Sequence, residues 1–253
     1  MSEPALPHVQ PEENSRHGRL SVRPRPPVTP ADARSGLLRQ ETPTGELLAL
    51  SYAPAPADQR PQHLVLLLHG AGGSPRQALD LLLPVADEHR LLLVAPKSTS
   101  SSWDLIIDGF GPDVRMIDRI LDHVLDSHPV DRLTIGGFSD GASYALSLGL
   151  TNGDLFDAVL AFSPGFAAPL VTHGKPRVFV SHGTADRVLP VDRCSRRVVP
   201  RLEALGYTVT YQEFDGNHEV PAAVVQQATR WLRSAEADDD RRGGAAVRPR
   251  PPR

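Results

Sequence analysis

The chain has 253 residues, 40% of them hydrophobic and 23% charged, with a formal net charge of -3. This supplies apolar material for one substantial core, while the near balance of charge gives no overall pull toward nucleic acid or a membrane surface. The single Cys194 excludes an internal disulfide, no Cys/His cluster has zinc-ligand spacing, and no segment approaches the ~20 apolar residues that span a bilayer.

The first residues, "MSEPALPHVQPEEN", lack the basic start and apolar block of a signal peptide, so a soluble cytoplasmic protein is expected. Residues 1–36 contain seven prolines and almost no apolar periodicity, which predicts a disordered tail. The hexapeptide "VRPRPP" occurs at Val22–Pro27 and again at Val247–Pro252. It reads either as a pair of polyproline docking motifs or as drift in an Arg- and Pro-rich composition. Residues 37–235 then form the expected folded domain, and 236–253 a second disordered tail, charged and Pro-rich.

Within the domain, apolar runs alternate with helical patterns. The segments at 63–69 (HLVLLLH), 91–96, 132–138, 157–164 and 177–183 are continuous and apolar, as strands buried on both faces require. Segments 45–55 and 207–215 alternate with period two and read as flanking strands. Residues 75–88 place Ala78, Leu81, Leu82 and Val85 on one side of a helix. Residues 113–126 do the same with Ile117, Ile120, Leu121, Val124 and Leu125. Further helices are expected at 141–150, 192–206, with Pro200 kinking it or delaying its start, and 222–235. Strand and helix alternating in this way predict an α/β fold whose mostly parallel sheet carries helices on both faces. Chemistry in such sheets collects at the carboxyl ends of the strands.

One turn at such an end stands out. "GGFSDGAS" puts Ser139 between a strand and a helix, with Gly137 and Gly141 on either side. This G-x-S-x-G spacing at a strand-to-helix turn describes a sharp elbow that presents a serine nucleophile. A serine needs a base, usually a histidine held by a carboxylate. Asp186 in "SHGTADRVLP" and His218 in "FDGNHEVP" follow in the chain order Ser, Asp, His, each in a loop after a strand. His182 reads as a structural histidine, Asp157 belongs to the opposite sheet edge, and Asp215 lies too close to His218 for the third role. The Gly-rich "HGAGGSP" lacks phosphate- and dinucleotide-binding spacing, so no nucleotide cofactor is expected and, without Cys/His ligand spacing, no metal: no cofactor is expected. It can instead aim a backbone amide at an oxyanion, and the amides of Ala71 and Asp140 are assigned to that hole. The Asp140 carboxylate would repel an oxyanion, so it is expected to turn away toward a surface partner.

Together "LLLHGAGGSP", "GGFSDGAS", "SHGTADRVLP" and "FDGNHEVP" resemble the α/β-hydrolase superfamily, nearest its phospholipase/carboxylesterase-like serine esterases, with dienelactone-hydrolase-like enzymes close by. The resemblance covers roughly residues 47–234. It implies a sheet of about eight strands and metal-free hydrolysis of carboxylic esters through an acyl-enzyme. In it Ser139 is the nucleophile, His218 the base and Asp186 its orienting partner. Dienelactone hydrolases carry a cysteine where this chain has Ser139, which favours an ordinary esterase. Many relatives have glycine where this chain has Asn217.

The expected partner is a small-molecule ester, with short or soluble acyl groups because no long helical lid is visible; no nucleic acid or membrane span is expected, and oligomeric state stays open. Trp103, Ile106 and Phe166 are candidate pocket residues, although a loop over 98–110 simply pinned by Trp103 reads equally well. A polyester or aryl-ester depolymerase and a non-catalytic binding protein are the competing functions.

Overall fold

The apolar runs become the middle of one eight-stranded sheet. The structure, a computed structural model, describes residues 11–27, 35–55 and 61–244. In chain order the elements are α1 (Pro11–Arg16), β1 (Gly36–Glu41), β2 (Leu47–Ala53), β3 (Gln62–Leu68), α2 (Pro75–Asp80), α3 (Ala86–His89) and β4 (Leu91–Pro96). They continue with α4 (Asp104–Ile107), α5 (Pro112–Ser127), β5 (Val130–Phe138), α6 (Asp140–Thr151), β6 (Ala158–Phe162), β7 (Arg177–Gly183), α7 (Ser195–Ala204), β8 (Val209–Phe214) and α8 (Ala222–Gly244).

The strand order is β1-β2-β4-β3-β5-β6-β7-β8. Strands β4, β3, β5, β6, β7 and β8 run parallel, and β2 joins β4 antiparallel. This is the expected α/β-hydrolase fold. Period-two alternation divides β3 between two cores. Leu64, Leu66 and Leu68 face α5 and α6, whereas Val65 and Leu67 face α2, α3 and α8. A strand with both faces covered has no place for polar residues, which is why β3 and β4 read as unbroken apolar runs. The eighth strand, β1, escaped the sequence reading because as an edge strand it is only half buried on alternate residues. Pro200 lies inside α7, which begins at Ser195 regardless. No helix among the described residues is long and apolar enough to cross a membrane.

Two boundaries differ from expectation. Residues 11–27, predicted as disordered, lie on α5 and the end of α6, with Leu20 and Val22 buried in the core. The Arg19 guanidinium donates to both carboxylate oxygens of Asp154, at 2.8 and 2.9 Å, and to the Thr151 carbonyl at 2.7 Å. The Ser21 and Val22 amides donate to Asp118, and Arg25 reaches Asp122 and Asp126. Thus Asp118, Asp122 and Asp126 form an acidic row along α5 that receives the first "VRPRPP" copy. Composition misses this because ordering comes from complementarity to a distant helix, not from the segment's own hydrophobicity. At the other end, α8 continues to Gly244, past the expected boundary at 235. Ala235, Glu236 and Ala237 are good helix formers and simply prolong it. The second copy, Val247–Pro252, lies outside the described residues.

Deletion of residues 1–27 is therefore expected to lower the melting temperature by about 5–10 °C. Uncovering the Leu20 and Val22 contacts costs a few kcal/mol, at about 2–4 °C each for a chain of this size. Hydrogen bonds from Arg19, against some desolvation, hold the Asp154 carboxyl down at about 2. Its folded value lies below the unfolded one, so its contribution is full above pH ~4 and is lost as pH falls toward ~2. The penalty of the deletion should shrink over that window in melts monitored by circular dichroism; a pH-independent or absent penalty would contradict the docking.

Candidate active site

Strand β5 ends at Phe138, and the chain turns so sharply into α6 that Ser139 adopts φ 58° and ψ -121°. A non-glycine residue in this region is strained and is held only by its surroundings. Here the Ser139 amide donates to the Phe162 carbonyl at 2.9 Å. Gly137 and Gly141 fill the inside of the turn. A methyl group on Gly141 would strike the Leu68 and His69 carbonyls, and one on Gly137 would strike the Gly141 backbone and the Leu68 carbonyl. The glycines thus let the turn press against the end of β3.

Two other strand ends complete the arrangement. After β7, Asp186 is buried, and one of its carboxylate oxygens accepts the Val188 and Leu189 amides at 2.9 and 2.8 Å. The other oxygen accepts from His218 Nδ1 at 2.6 Å, while His218 Nε2 lies 2.9 Å from Ser139 Oγ. With Nδ1–H donated to Asp186, Nε2 is left free to take a proton from the serine. Burial acts to raise the Asp186 carboxyl, but the hydrogen bonds from His218, Leu189 and Val188 outweigh it and hold the group below its usual value. Phe138 packs against the His218 ring, centroids 4.6 Å apart.

His182 behaves as a structural histidine. It is fully buried, its Nδ1 lies 2.6 Å from Ser195 Oγ and its Nε2 lies 2.7 Å from the Leu189 carbonyl. Burial lowers its pKa and favours the neutral ring, which accepts from Ser195 and donates to Leu189. Because Nε2 is also 3.3 Å from Asp186, it buttresses the loop that holds this carboxylate. Asp157 sits at the opposite sheet edge, accepting the Leu133 amide at 2.9 Å.

The loop after β3 was expected to supply a donor. The Ala71 amide makes no hydrogen bond among the described residues, and Asp140 opens α6, so its amide has no intrahelical acceptor. The Asp140 carboxylate accepts from Ser102 Oγ at 2.7 Å. It does turn to a partner, but that partner, Ser102 in the 97–113 loop, is buried and not at the open surface.

His69, unremarked in the sequence, shapes this loop. Its Nδ1 bonds the Gly70 carbonyl at 2.8 Å and its Nε2 accepts the Ser98 amide at 3.2 Å, an arrangement of the neutral ring. Burial lowers its pKa accordingly. The only sequence signal was its position at the end of an apolar strand before three glycines.

The pocket expectations need correction. Trp103 has no exposed surface; it stacks on Tyr144 and its indole N–H donates to the His69 carbonyl at 2.8 Å. It is a clamp on the loop, consistent with the pinned-loop reading. Ile106, in the short α4, packs against the same core. Phe166 lines a cavity beside α7 whose walls include none of Ser139, Asp186 or His218. Missed altogether were two buried carboxylates that hold the 97–113 loop. Asp113 accepts the Thr99 and Asp104 amides, both at 2.8 Å. Asp104 accepts the Gly111 and Asp113 amides and the Tyr144 hydroxyl at 2.8–2.9 Å. Among the described residues no group of three His, Cys, Asp or Glu side chains could hold a metal ion.

Comparison with known proteins fits this geometry. A model of the phospholipase/carboxylesterase family matches residues 106–235. Acyl-protein thioesterase 1 of Eremothecium gossypii is 30% identical over 102 residues, 37% of this chain and 43% of that protein. The match thus spans less than half of that relative's length. Among solved structures, esterase PE8 superposes with TM-score 0.62 at 23% identity, over 79% of this chain and 99% of that one. S-formylglutathione hydrolase from Staphylococcus aureus gives 0.64 at 16% identity, over 80% and 98%. Zea mays acyl-protein thioesterase 2 gives 0.54 at 19%, over 74% and 97%. At these identities the structures share the fold.

Proposed function

The chain belongs to the phospholipase/carboxylesterase family, and on that premise we propose that it hydrolyses carboxylic esters with Ser139 as nucleophile, His218 as general base and Asp186 as its orienting carboxylate. The observation that carries this reading is the unbroken contact from Asp186 through both nitrogens of His218 to Ser139 Oγ, at 2.6 and 2.9 Å. Three side chains from three separate strand ends meet in the order and geometry that acyl transfer needs. A purely binding role would leave that convergence, and the strain at Ser139, without a use.

In this mechanism Ser139 Oγ attacks the ester carbonyl as its proton passes to His218 Nε2. The Asp186 carboxylate stabilises the imidazolium that results. Charge building on the carbonyl oxygen faces the Ala71 and Asp140 amides, both free of other acceptors among the described residues, at the positive end of α6. Ser102 matters here, because its hydroxyl holds the Asp140 carboxylate away from the developing anion. The tetrahedral intermediate collapses, the alcohol leaves with the proton from His218, and the acyl group remains on Ser139. Water activated by His218 then repeats the attack and releases the acid. A thioester carbonyl is open to the same attack, the thiol leaving in place of the alcohol.

Short or soluble acyl groups are favoured in this reading, since the 97–113 loop carries only the four-residue α4 and is held down by Trp103. A fluorophosphonate probe is expected to label the wild-type protein once, with no label on Ser139→Ala. Labelling retained in that variant would remove Ser139 from the role. A series of p-nitrophenyl esters of increasing chain length is expected to peak at short acyl groups; a peak at long chains would overturn the substrate preference while leaving the nucleophile intact.

A further inference from the structure

Beside α7 lies a cavity of about 410 Å³ whose lining includes none of Ser139, Asp186 and His218, within the ~300–1,000 Å³ range of small-molecule sites. Its floor is apolar: Leu150, Phe166, Pro169, Val198 and Leu202 line it. Arg193, Arg197 and Arg201, also in the lining, follow at intervals of four, so they rise along one side of α7 and the turn before it. The ion pairs of the described residues include none of the three. Their neighbour Arg196, by contrast, is held by Asp192 and Glu213 at 2.6 Å each. Folding alone gives little reason for this row, because Arg193 and Arg197 sit at the N-terminal end of α7, where the helix dipole disfavours positive charge.

A second, independent feature marks the same cavity. Tyr207 lines it, is only 5% exposed, and its hydroxyl has no hydrogen-bond partner among the described residues. A buried polar group without a partner is costly, and such groups are uncommon in folded chains. Leu205 in the lining, and Leu170 and Val171 between the lining residues Pro169 and Thr172 in the chain, are exposed apolar side chains, an unfavourable arrangement for a surface that meets only water.

We propose that this cavity is a second binding site, for a small anionic amphiphile: the apolar floor takes an alkyl or aryl body, the Arg193, Arg197 and Arg201 row takes a carboxylate or phosphate, and the Tyr207 hydroxyl bonds a polar atom of the ligand. The anion class follows from the row itself, which has no paired carboxylate among the described residues, since guanidinium forks bind such groups in bidentate fashion. The body must be apolar because the walls offer it little else. The site is independent of the ester-cleaving role proposed above.

The test uses the full chain carrying Ser139→Ala and titrates decanoate and decyl phosphate by calorimetry, with 1-octanol as the neutral comparison. Saturable one-to-one binding of one or both anions is expected, with octanol at least about tenfold weaker, and the better anion identifies the headgroup. The triple variant Arg193→Gln/Arg197→Gln/Arg201→Gln is expected to weaken anion binding by at least about tenfold. Tyr207→Phe should weaken it severalfold, and circular dichroism melts should show both variants folded. No saturable binding, equal binding of octanol, or binding untouched by the triple variant would overturn the proposal. So would loss of decanoate binding on wild-type protein after fluorophosphonate treatment, because that would put the ligand at Ser139. None of these readouts depends on ester turnover, so failure here and failure of the esterase reading are separable.

Discussion

Ser139→Ala is expected to lower turnover of p-nitrophenyl acetate by about 10⁴- to 10⁶-fold, and His218→Ala by a comparable factor, because the two act as one unit. The double variant should be no slower than the worse single variant. Once Ser139 Oγ is gone, the base 2.9 Å away has no proton to accept. Asp186→Asn should cost about 10⁴-fold, since the amide cannot hold the Nδ1–H tautomer that the 2.6 Å contact selects. Residual activity in all of these comes from the oxyanion donors and substrate binding. Stopped-flow or burst kinetics with the acetate ester gives the measurement. Near-normal turnover in His218→Ala would shift the base role to His182, whose Nε2 is 3.3 Å from the same carboxylate.

Asp113→Ala is the substitution with the largest expected effect on stability away from the nucleophile. The side chain is fully buried and accepts the amides of Thr99 and Asp104. Its removal strands both donors, leaves Asp104 without the amide geometry it shares, and opens a void under the loop. Changes of this kind cost about 3–5 kcal/mol. At about 2–4 °C per kcal/mol for a chain of this size, the melting temperature should fall by roughly 6–20 °C. Asp113→Asn keeps one acceptor oxygen and should fall by less. A melt within a degree of wild type for Asp113→Ala would mean that the loop holds itself without the carboxylate.

The contrast between these two predictions also marks what the sequence could and could not tell. The sharp turn at Ser139 and its meeting with Asp186 and His218 were legible because their requirements are local: a strand, two glycines, a helix and the order of two later side chains. The central strands were legible because burial on both faces forces unbroken apolar runs. Asp104 and Asp113 were not, since a buried aspartate that caps backbone amides has the same letter as one facing water. The arm at residues 11–27 was misread for a related reason. Its arginines and backbone amides gain their meaning from Asp118, Asp122, Asp126 and Asp154, which lie more than ninety positions away. Trp103 was a candidate for a pocket, with a loop pinned by it reading equally well, because a letter cannot say which way a ring points; here it faces inward onto Tyr144.

The contact of Gly141 with the Leu68 and His69 carbonyls, and the bond from Trp103 to that same His69 carbonyl, have a consequence for anyone reshaping this protein. The Ser139 turn, the loop after β3 and the 97–113 loop are geared together, so a substitution meant to widen one of them displaces the others. Directed evolution of substrate range should therefore find few tolerated changes at residues 69–73, 102–104 and 137–141. Productive libraries are expected to sit at side chains that reach solvent without closing these contacts, such as Ile107 and Val188.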